Sequence, residues 1–329
     1  MSRRGFRTFS ALAGVAMAAS AAAFAYGSLI ERRAYALREV TVPVLPEGSR
    51  TIRILHLSDL HMAPWQSEKQ SWVRELAHLQ PDLIVDTGDN LGHADGIQGV
   101  RAALEPFKGI PGVFAHGSND YFAPTPKNPF RYFLGPSDHR HQQPDRLDVD
   151  ALNAFFTELG WVNLNNAATT LLVQGTTVEM FGVDDPHIGF DRLSSLPGAL
   201  DELREAEGRP EKTGDAAQHG TVTIGVAHAP YRRVLDAFIT NGAQLILAGH
   251  THGGQVCLPG YGALVTNCDI PRAQVKGLSV WRHGMRGAFL NVSAGVGTSI
   301  YAPVRFACRP EVTLLTLVPV RNTPATRVS

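Results

Sequence analysis

Along this chain, short apolar runs repeatedly end in small polar clusters. Ile52 to Leu57 runs into Ser58-Asp59-Leu60-His61, and Pro81 to Val85 into Asp86-Thr87-Gly88-Asp89-Asn90. Gly112 to Ala115 leads in the same way into His116-Gly117-Ser118-Asn119-Asp120. Runs this short and this rich in Val, Ile and Leu predict buried strands. Residues 67–79 and Val100 to Phe107 carry apolar positions at helical spacing, which predicts a helix in each gap. The three βα units place each polar cluster beyond the carboxyl end of a strand, where open α/β sheets bind ligands. Val40 to Val44 predicts an earlier strand, and Pro43, with no N–H for a ladder, puts it at a sheet edge.

The second half changes character. Thr169–Val173, Thr177–Gly182, Thr221–Ala227, Ala243–Ala248, Gly287–Val292 and Val312–Val318 read as strands rich in Val, Leu, Ile and Thr. Leu193 to Glu207 and Tyr231 to Thr240 read as helices, and residues 208–220 as an exposed loop. Residues 122–148 are rich in Pro, His, Arg and Asp and carry little periodicity. An irregular insertion directly after a functional strand reads as a lid or substrate-contact loop, with Arg131, His139, Arg140 and His141 as its basic groups.

The first thirty residues are an address rather than part of the fold. Arg3 and Arg4 precede an uncharged, Ala-rich stretch from Phe9 to Ile30 that contains the small-x-small site Ala23-Phe24-Ala25. That is the pattern of an export signal, and the paired arginines resemble a twin-arginine signal, the route taken by folded proteins. The competing reading is an uncleaved membrane anchor, weakly hydrophobic because of its alanines. Either places the folded part outside the cytoplasm. Residues 31–49 then form a connector, 50–319 one domain and 320–329 a tail.

Composition narrows the function by exclusion. Thirty basic residues balance thirty acidic ones, so there is no electrostatic footprint for nucleic acid. Cys257, Cys268 and Cys308 share no C-x-x-C spacing and form no disulfide framework. The thirteen histidines are more telling, because several sit beside Asp and Gly at strand ends. Alternation beyond the strand would put Asp59 and His61 on one side of the chain, with Leu60 turned away. Asp89 follows Gly88, which lets backbones approach closely; Asn119 offers a neutral amide oxygen. His228 and the pair His250 and His252 add three more imidazoles at strand ends. Mixed N/O donors of this kind suit Mn, Fe, Zn or Co better than Ca or Mg.

These clusters, in this order, resemble the calcineurin-like metallophosphoesterase superfamily, whose motifs are D-x-H, G-D, G-N-H-D, a lone His and G-H-x-H. The stretch Gly249-His250-Thr251-His252-Gly253-Gly254-Gln255, with Gly295-Val296-Gly297-Thr298 and Arg305-Phe306, looks like an exported or membrane-associated bacterial subgroup. The resemblance implies an α/β fold of two mixed sheets packed as a sandwich and flanked by helices. It implies a pair of divalent cations, one held by Asp59, His61, Asp89 and His252, the other by Asp89, Asn119, His228 and His250. Asp89 would bridge them, and a hydroxide between metals about 3.5–4 Å apart would attack phosphorus in line. The implied substrate is a phosphomonoester, phosphodiester or pyrophosphate of a small molecule, membrane lipid or cell-envelope intermediate.

One motif departs from the family. Its G-N-H-D stands here as Gly117-Ser118-Asn119-Asp120. Counted from the strand start, Asn119 takes the family asparagine's place and Asp120 that of the histidine that protonates the leaving group. Counted from the glycine, Ser118 and Asn119 take those two places. The first count makes Asn119 a ligand and Asp120 the proton donor, with Asn119, Asp120 and His250 as the catalytic set. A carboxylate acting as an acid needs a raised pKa, which favours a leaving group that needs little protonation. The rival function is a metal-binding scaffold that kept the fold and lost turnover; a redox di-metal centre is disfavoured by the Asp/Asn/His mixture. His56 and His116 read as core or supporting histidines, and Asp184, Asp185 and His187 as a turn.

Overall fold

A computed structural model describes residues 3–125, 145–208 and 220–320. Arg131, His139, Arg140 and His141 therefore lie outside the described residues, as does the tail beyond 320. In chain order the strands are β1 (Ala36–Leu45), β2 (Ile52–Leu57), β3 (Leu83–Asp86), β4 (Gly112–Phe114), β5 (Trp161–Asn163), β6 (Ala167–Val173) and β7 (Thr176–Gly182). They continue as β8 (Thr221–Ala227), β9 (Leu245–Ala248), β10 (Cys257–Leu258), β11 (Gly262–Ala263), β12 (Gly277–His283), β13 (Arg286–Val292) and β14 (Glu311–Pro319). The helices are α1 (Arg3–Leu29), α2 (Ser67–Glu75), α3 (Gly96–Leu104), α4 (Ser118–Tyr121), α5 (Val149–Leu159), α6 (Leu196–Ala206) and α7 (Arg232–Thr240).

Two six-stranded mixed sheets carry the fold, ordered β1-β14-β2-β3-β4-β5 and β12-β13-β9-β8-β7-β6. Strand periodicity sorts the side chains into layers. Ile52 and Ile54 of β2 meet Val178, Val222, Ile224 and Leu245 of the other sheet in a shared core. Leu55 and Leu57, one residue out of phase, pack under α2, α3 and α5 with Val73, Leu104 and Phe156. On the far face of the second sheet, Phe181, Ala227 and Ile246 pack under α6 and α7 with Leu200, Leu235 and Phe238. Both faces of each sheet are covered, which is why these strands read as continuous apolar runs. The sandwich flanked by helices is the architecture expected from the sequence.

β1 pairs in parallel with β14 at an edge, where Pro43 needs no partner, so the sheet takes in part of the segment read as a connector. α5, β5 and β12 were not anticipated. α5 was legible: Leu152, Phe155, Phe156 and Leu159 follow helical spacing, and the Asp148 carboxylate caps it by accepting from the Ala151 amide at 2.9 Å. β5 has three residues, too few for a period, and β12 is an edge strand whose positions are mostly part-exposed. Of the address segment, residues 3–29 form one helix; no helix among the described residues is long and apolar enough to cross a membrane.

Candidate metal centre

The loops that leave β2, β3, β4, β8 and β9 converge at one end of the sandwich. Asp59, His61, Asp89, His250 and His252 all hold positive φ there, at 50°, 41°, 57°, 66° and 50°. Side-chain-bearing residues rarely adopt this region, and its cost of about 1–3 kcal/mol each persists only where surroundings over-determine it. Strand alternation is therefore not what brings Asp59 and His61 together. β2 ends at Leu57, and the chain beyond it coils with both residues left-handed. Backbone bonds fix the coil: Asp59 N donates to Gly88 O at 2.8 Å, His61 N to Asp89 O at 2.9 Å, and Gly297 N to Asp59 O at 2.6 Å.

Six of the seven sequence-predicted ligands have side-chain atoms within a few ångströms of the carboxylate pair Asp59 and Asp89. Asp59, His61 and His252 place donor atoms within 4.8 Å of one another, and so do Asp59, Asp89 and His228. His61 and His252 face each other Nε2 to Nε2 at 3.2 Å, with His252 Nε2 3.4 Å from Asp59 Oδ1. Asp89 Oδ2 lies 3.6 Å from His61 Nε2 and 3.5 Å from His228 Nε2, so it stands between the two groups. Asn119 closes on the same carboxylate, its backbone N–H donating to Oδ1 at 2.8 Å and its side-chain amide contacting Oδ2 at 2.7 Å. His250 stands beside the second group, its ring 5.1 Å from that of His228, and its backbone N–H donates to Asp59 Oδ2 at 3.0 Å.

Partners behind the imidazoles orient them. His228 Nδ1 lies 2.7 Å from Thr87 O and donates to it, leaving Nε2 bare toward Asp89. His250 Nε2 lies 3.0 Å from Asn267 O, which leaves its Nδ1 as the free donor atom. Burial holds His61 down at about 4 and pushes His250 and His252 well below the ordinary histidine range, so these three imidazoles are neutral, the form that binds cations. Burial also pushes Asp59 up to about 6, against the opposing pull of His228. For Asp89, burial is outweighed by the nearness of His228 and His61 and by the Asn119 N–H, and its carboxyl sits well below the usual range.

Asp120 is not placed to act as a proton donor, contrary to the sequence expectation. Its carboxylate is fully buried and accepts three backbone N–H groups: Asp89 at 2.9 Å, Asn90 at 2.7 Å and Gly117 at 2.9 Å. With both oxygens occupied by amides, the group has no face toward a substrate. Asp120 thus ties the β3 loop to the β4 loop, and its side chain lies behind Asp89 while Asn119 lies in front. His56 and His116 are interior, as expected. His56 bridges the sheets through Thr87 Oγ1 and Asn291 Nδ2, both at 3.0 Å, and His116 Nε2 meets Asn153 Oδ1 at 2.8 Å. The turn at Asp184-Asp185-His187 comes closer than its sequence announced, with the His187 ring 4.4 Å from that of His250 and its Nδ1 2.9 Å from the Tyr231 phenol oxygen.

Several supporting residues were given no role at the site by the sequence. Ser58 Oγ donates to Asp59 Oδ2 at 2.5 Å, and Lys69, buried on α2, donates to His61 O at 2.9 Å. Arg305, fully buried, donates to Ala294, Gly295 and Gly297 carbonyls. Adjacency to the motifs marks Ser58, and Arg305 belongs to the Arg305-Phe306 pair of the subgroup's pattern; nothing in the sequence marks Lys69, and only folding shows what each of the three touches. Asp59 Oδ1 and His228 Nε2 are buried without hydrogen-bond partners, between other donor atoms. Buried polar atoms are rarely left so, and divalent cations bound among these donors would satisfy them. The residues present therefore fit a metal centre.

Comparison with known proteins places this geometry in a family. The calcineurin-like phosphoesterase signature matches residues 52–254, from β2 through the His250 and His252 loop. The chain is 25% identical over 327 residues to the metallophosphoesterase YkuE of Bacillus subtilis, covering 96% of this chain and 98% of that one. It is 25% identical over 292 residues to a transmembrane protein with metallophosphoesterase domain from Danio rerio, covering 85% of this chain and 56% of the fish protein. Among solved structures it is similar to TT1561 of Thermus thermophilus, at 14% identity and a TM-score of 0.40, covering 83% of this chain and 100% of that one. With the motif series in order and its side chains gathered at one end of the sheets, this chain belongs to the calcineurin-like phosphoesterases and is a metal-dependent phosphoester hydrolase.

Proposed function

We propose that the chain hydrolyses a phosphodiester, phosphomonoester or pyrophosphate bond at a pair of divalent cations, drawn from Mn, Fe, Zn and Co. The observation that carries this reading is the place of Asp89, whose Oδ2 lies 3.6 Å from His61 Nε2 and 3.5 Å from His228 Nε2, between two donor groups. Asp59, His61, Asp89 and His252 would hold one ion, and Asp89, Asn119, His228 and His250 the other. Two such ions, when bound, clamp phosphoryl oxygens and lower the pKa of water. The chain's own part is to hold these donors rigidly, which the Thr87 and Asn267 carbonyls and the Asp120 carboxylate do from behind.

Asn119, set against Asp89 as a ligand of the second ion, carries an amide that cannot give up a proton. With the Asp120 carboxylate held by amides, neither residue of this motif supplies one, so the reading favours a leaving group that departs as a stable anion, such as the phosphate of a pyrophosphate. The paired arginines and apolar stretch of the N-terminus support an extracytoplasmic site of action and a membrane-lipid or cell-envelope substrate. The test is metal analysis of the purified chain with a panel of monoesters, diesters and lipid pyrophosphates in Mn. Two equivalents of metal and fastest turnover of the pyrophosphate are expected, with both lost in Asp89→Ala. Two bound metals without turnover on any ester would instead favour the metal-binding scaffold, a reading that the missing motif histidine also supports.

A further inference from the structure

The N-terminal segment reaches the metal centre through a chain of buried contacts. Gly27, near the end of α1, accepts a hydrogen bond from Arg305 N at 3.2 Å. A Cβ on Gly27 would meet Arg305 O at 2.6 Å, so the two backbones touch. Next to them Tyr26 packs edge-on against Phe306, ring centroids 6.3 Å apart. Glu31, only 3% exposed, accepts from Ala307 N at 3.0 Å and from Cys308 N at 2.6 Å. A carboxylate taken from water is costly unless its lone pairs are filled, and here the 307–308 amides fill them. Between these two attachments lies Arg305. Its Nη2, with two N–H groups to share, lies 2.7 Å from Ala294 O, 3.0 Å from Gly295 O, 2.7 Å from Gly297 O and 3.3 Å from His252 Nδ1, and its Nη1 donates to Cys308 O at 3.4 Å. The 294–297 loop in turn lies over the first motif, where Val296 N donates to Ser58 O and Gly297 N to Asp59 O.

We infer that Gly27 to Glu31 is a latch on the metal centre, with Glu31 and Arg305 as positioning residues. Glu31 fixes the 305–308 loop; that loop sets Arg305; Arg305 stands against the His252 ring on one side and holds the cover over Asp59 on the other. The segment that reads as an export address is, at its carboxyl end, part of the scaffold of the site. A cut after Ala25 leaves the latch in place, whereas removal of the chain through Glu31 takes it away. The inference rests on the metal-centre reading for its effect on cations, and on the fold alone for its effect on the 294–297 loop.

The test uses the full chain, stripped of metal, with Glu31→Ala, Glu31→Gln, Arg305→Met and Arg305→Lys. Hydrogen exchange is read at Ala307, Cys308, Val296 and Gly297, and Co²⁺ uptake is followed by calorimetry and by its visible spectrum. In Glu31→Ala, faster exchange is expected at 307–308 and also at 296–297, and Co²⁺ binding should weaken about 10–100-fold in one of two steps, that of the site containing His252. Glu31→Gln, which keeps one acceptor oxygen, should fall between it and the parent. Arg305→Lys should restore only part of what Arg305→Met loses, because one ammonium can reach the 294–297 carbonyls that Nη2 meets but not Cys308 O as well. Should Glu31→Ala not fold, Glu31→Gln is read in its place, and Gly27→Ala disturbs the neighbouring attachment, where its Cβ would meet Arg305 O at 2.6 Å. Phe238→Leu, on the buried face of α7, serves as a variant of lowered stability that leaves the latch intact. Unchanged exchange at 296–297 together with unchanged Co²⁺ binding in a folded Glu31→Ala would overturn the latch, and so would an equal, step-specific weakening in Phe238→Leu. A parent chain that binds no Co²⁺ would defeat the metal-centre reading instead, while the exchange data would still decide the latch.

Discussion

The two ends of the sandwich use glycine for opposite reasons. At the end where β2, β4, β5, β7, β8 and β13 begin, Gly48, Gly109, Gly160, Gly175, Gly220 and Gly284 all have positive φ, and a Cβ on any of them would meet nothing within 4 Å. There glycine serves the turn alone. At the other end a Cβ on Gly88, Gly117, Gly249, Gly295 or Gly297 would come within 2.3, 2.3, 1.9, 2.5 and 2.4 Å of a neighbouring atom. Those neighbours include Asp89, Ser58, Asp59 and the Leu60 backbone, so glycine there serves close approach of one loop to another. At this same end the left-handed conformation is taken by Asp59, His61, Asp89, His250 and His252, residues for which it is costly. Strain sits where donor atoms must converge, and the hydrogen bonds of Asp120, Thr87 and Arg305 hold it there.

The sharpest way to break this contrast is Gly249→Ala, whose methyl would meet Ser58 Oγ at 1.9 Å and Asp59 Oδ2 at 2.6 Å. Metal content and phosphoesterase turnover should both fall to background, measured on protein that still melts cooperatively. Asp120→Asn comes next. It replaces an oxygen that accepts backbone N–H groups with a donor, and it should weaken metal affinity about 10–100-fold. The pH–rate profile should keep its shape; loss of an alkaline limb would instead restore Asp120 as a proton donor.

A third prediction concerns the core behind the site. Burial pushes His56 down to about 3 from 6.5, so the unfolded chain binds the extra proton between those values. Stability contributed by the neutral ring is whole above pH 6.5 and is lost as pH falls toward 3, by up to about 1.4 kcal/mol per pH unit. Urea titrations of metal-free protein should show that slope, and His56→Gln should flatten it. The smallest effect is expected at the plain end: Gly160→Ala, at φ 90° in open space, should cost only about 1 kcal/mol. Its metal content and turnover should match the parent, and any loss of metal would erase the distinction between the two ends.

Much of this was legible along the chain because strands and helices repeat their chemistry. The apolar runs before Asp59, Asp89 and Ser118 marked β2, β3 and β4, and the His250 and His252 pair marked the end of β9. Spacing failed where the backbone left regular geometry. No strand alternation describes Asp59 and His61, both left-handed beyond the end of β2. The Gly117-Ser118-Asn119-Asp120 motif could be counted in two registers, and only the three amides bound to the buried Asp120 showed that its carboxylate is not the proton donor the first count made it.

Taken alone, the sequence determined the fold class, the order of most of the elements and the candidate donors at the strand ends, because each depends on local period or on residue type. Tertiary structure decided which atoms face one another, that Asp120 supports Asp89, and that Glu31 and Arg305 lie behind His252. The contacts of Glu31 with Cys308 and of His228 with Thr87 join residues 277 and 141 positions apart. No local pattern encodes such a pairing; it exists only once two sheets have packed and their loops have met.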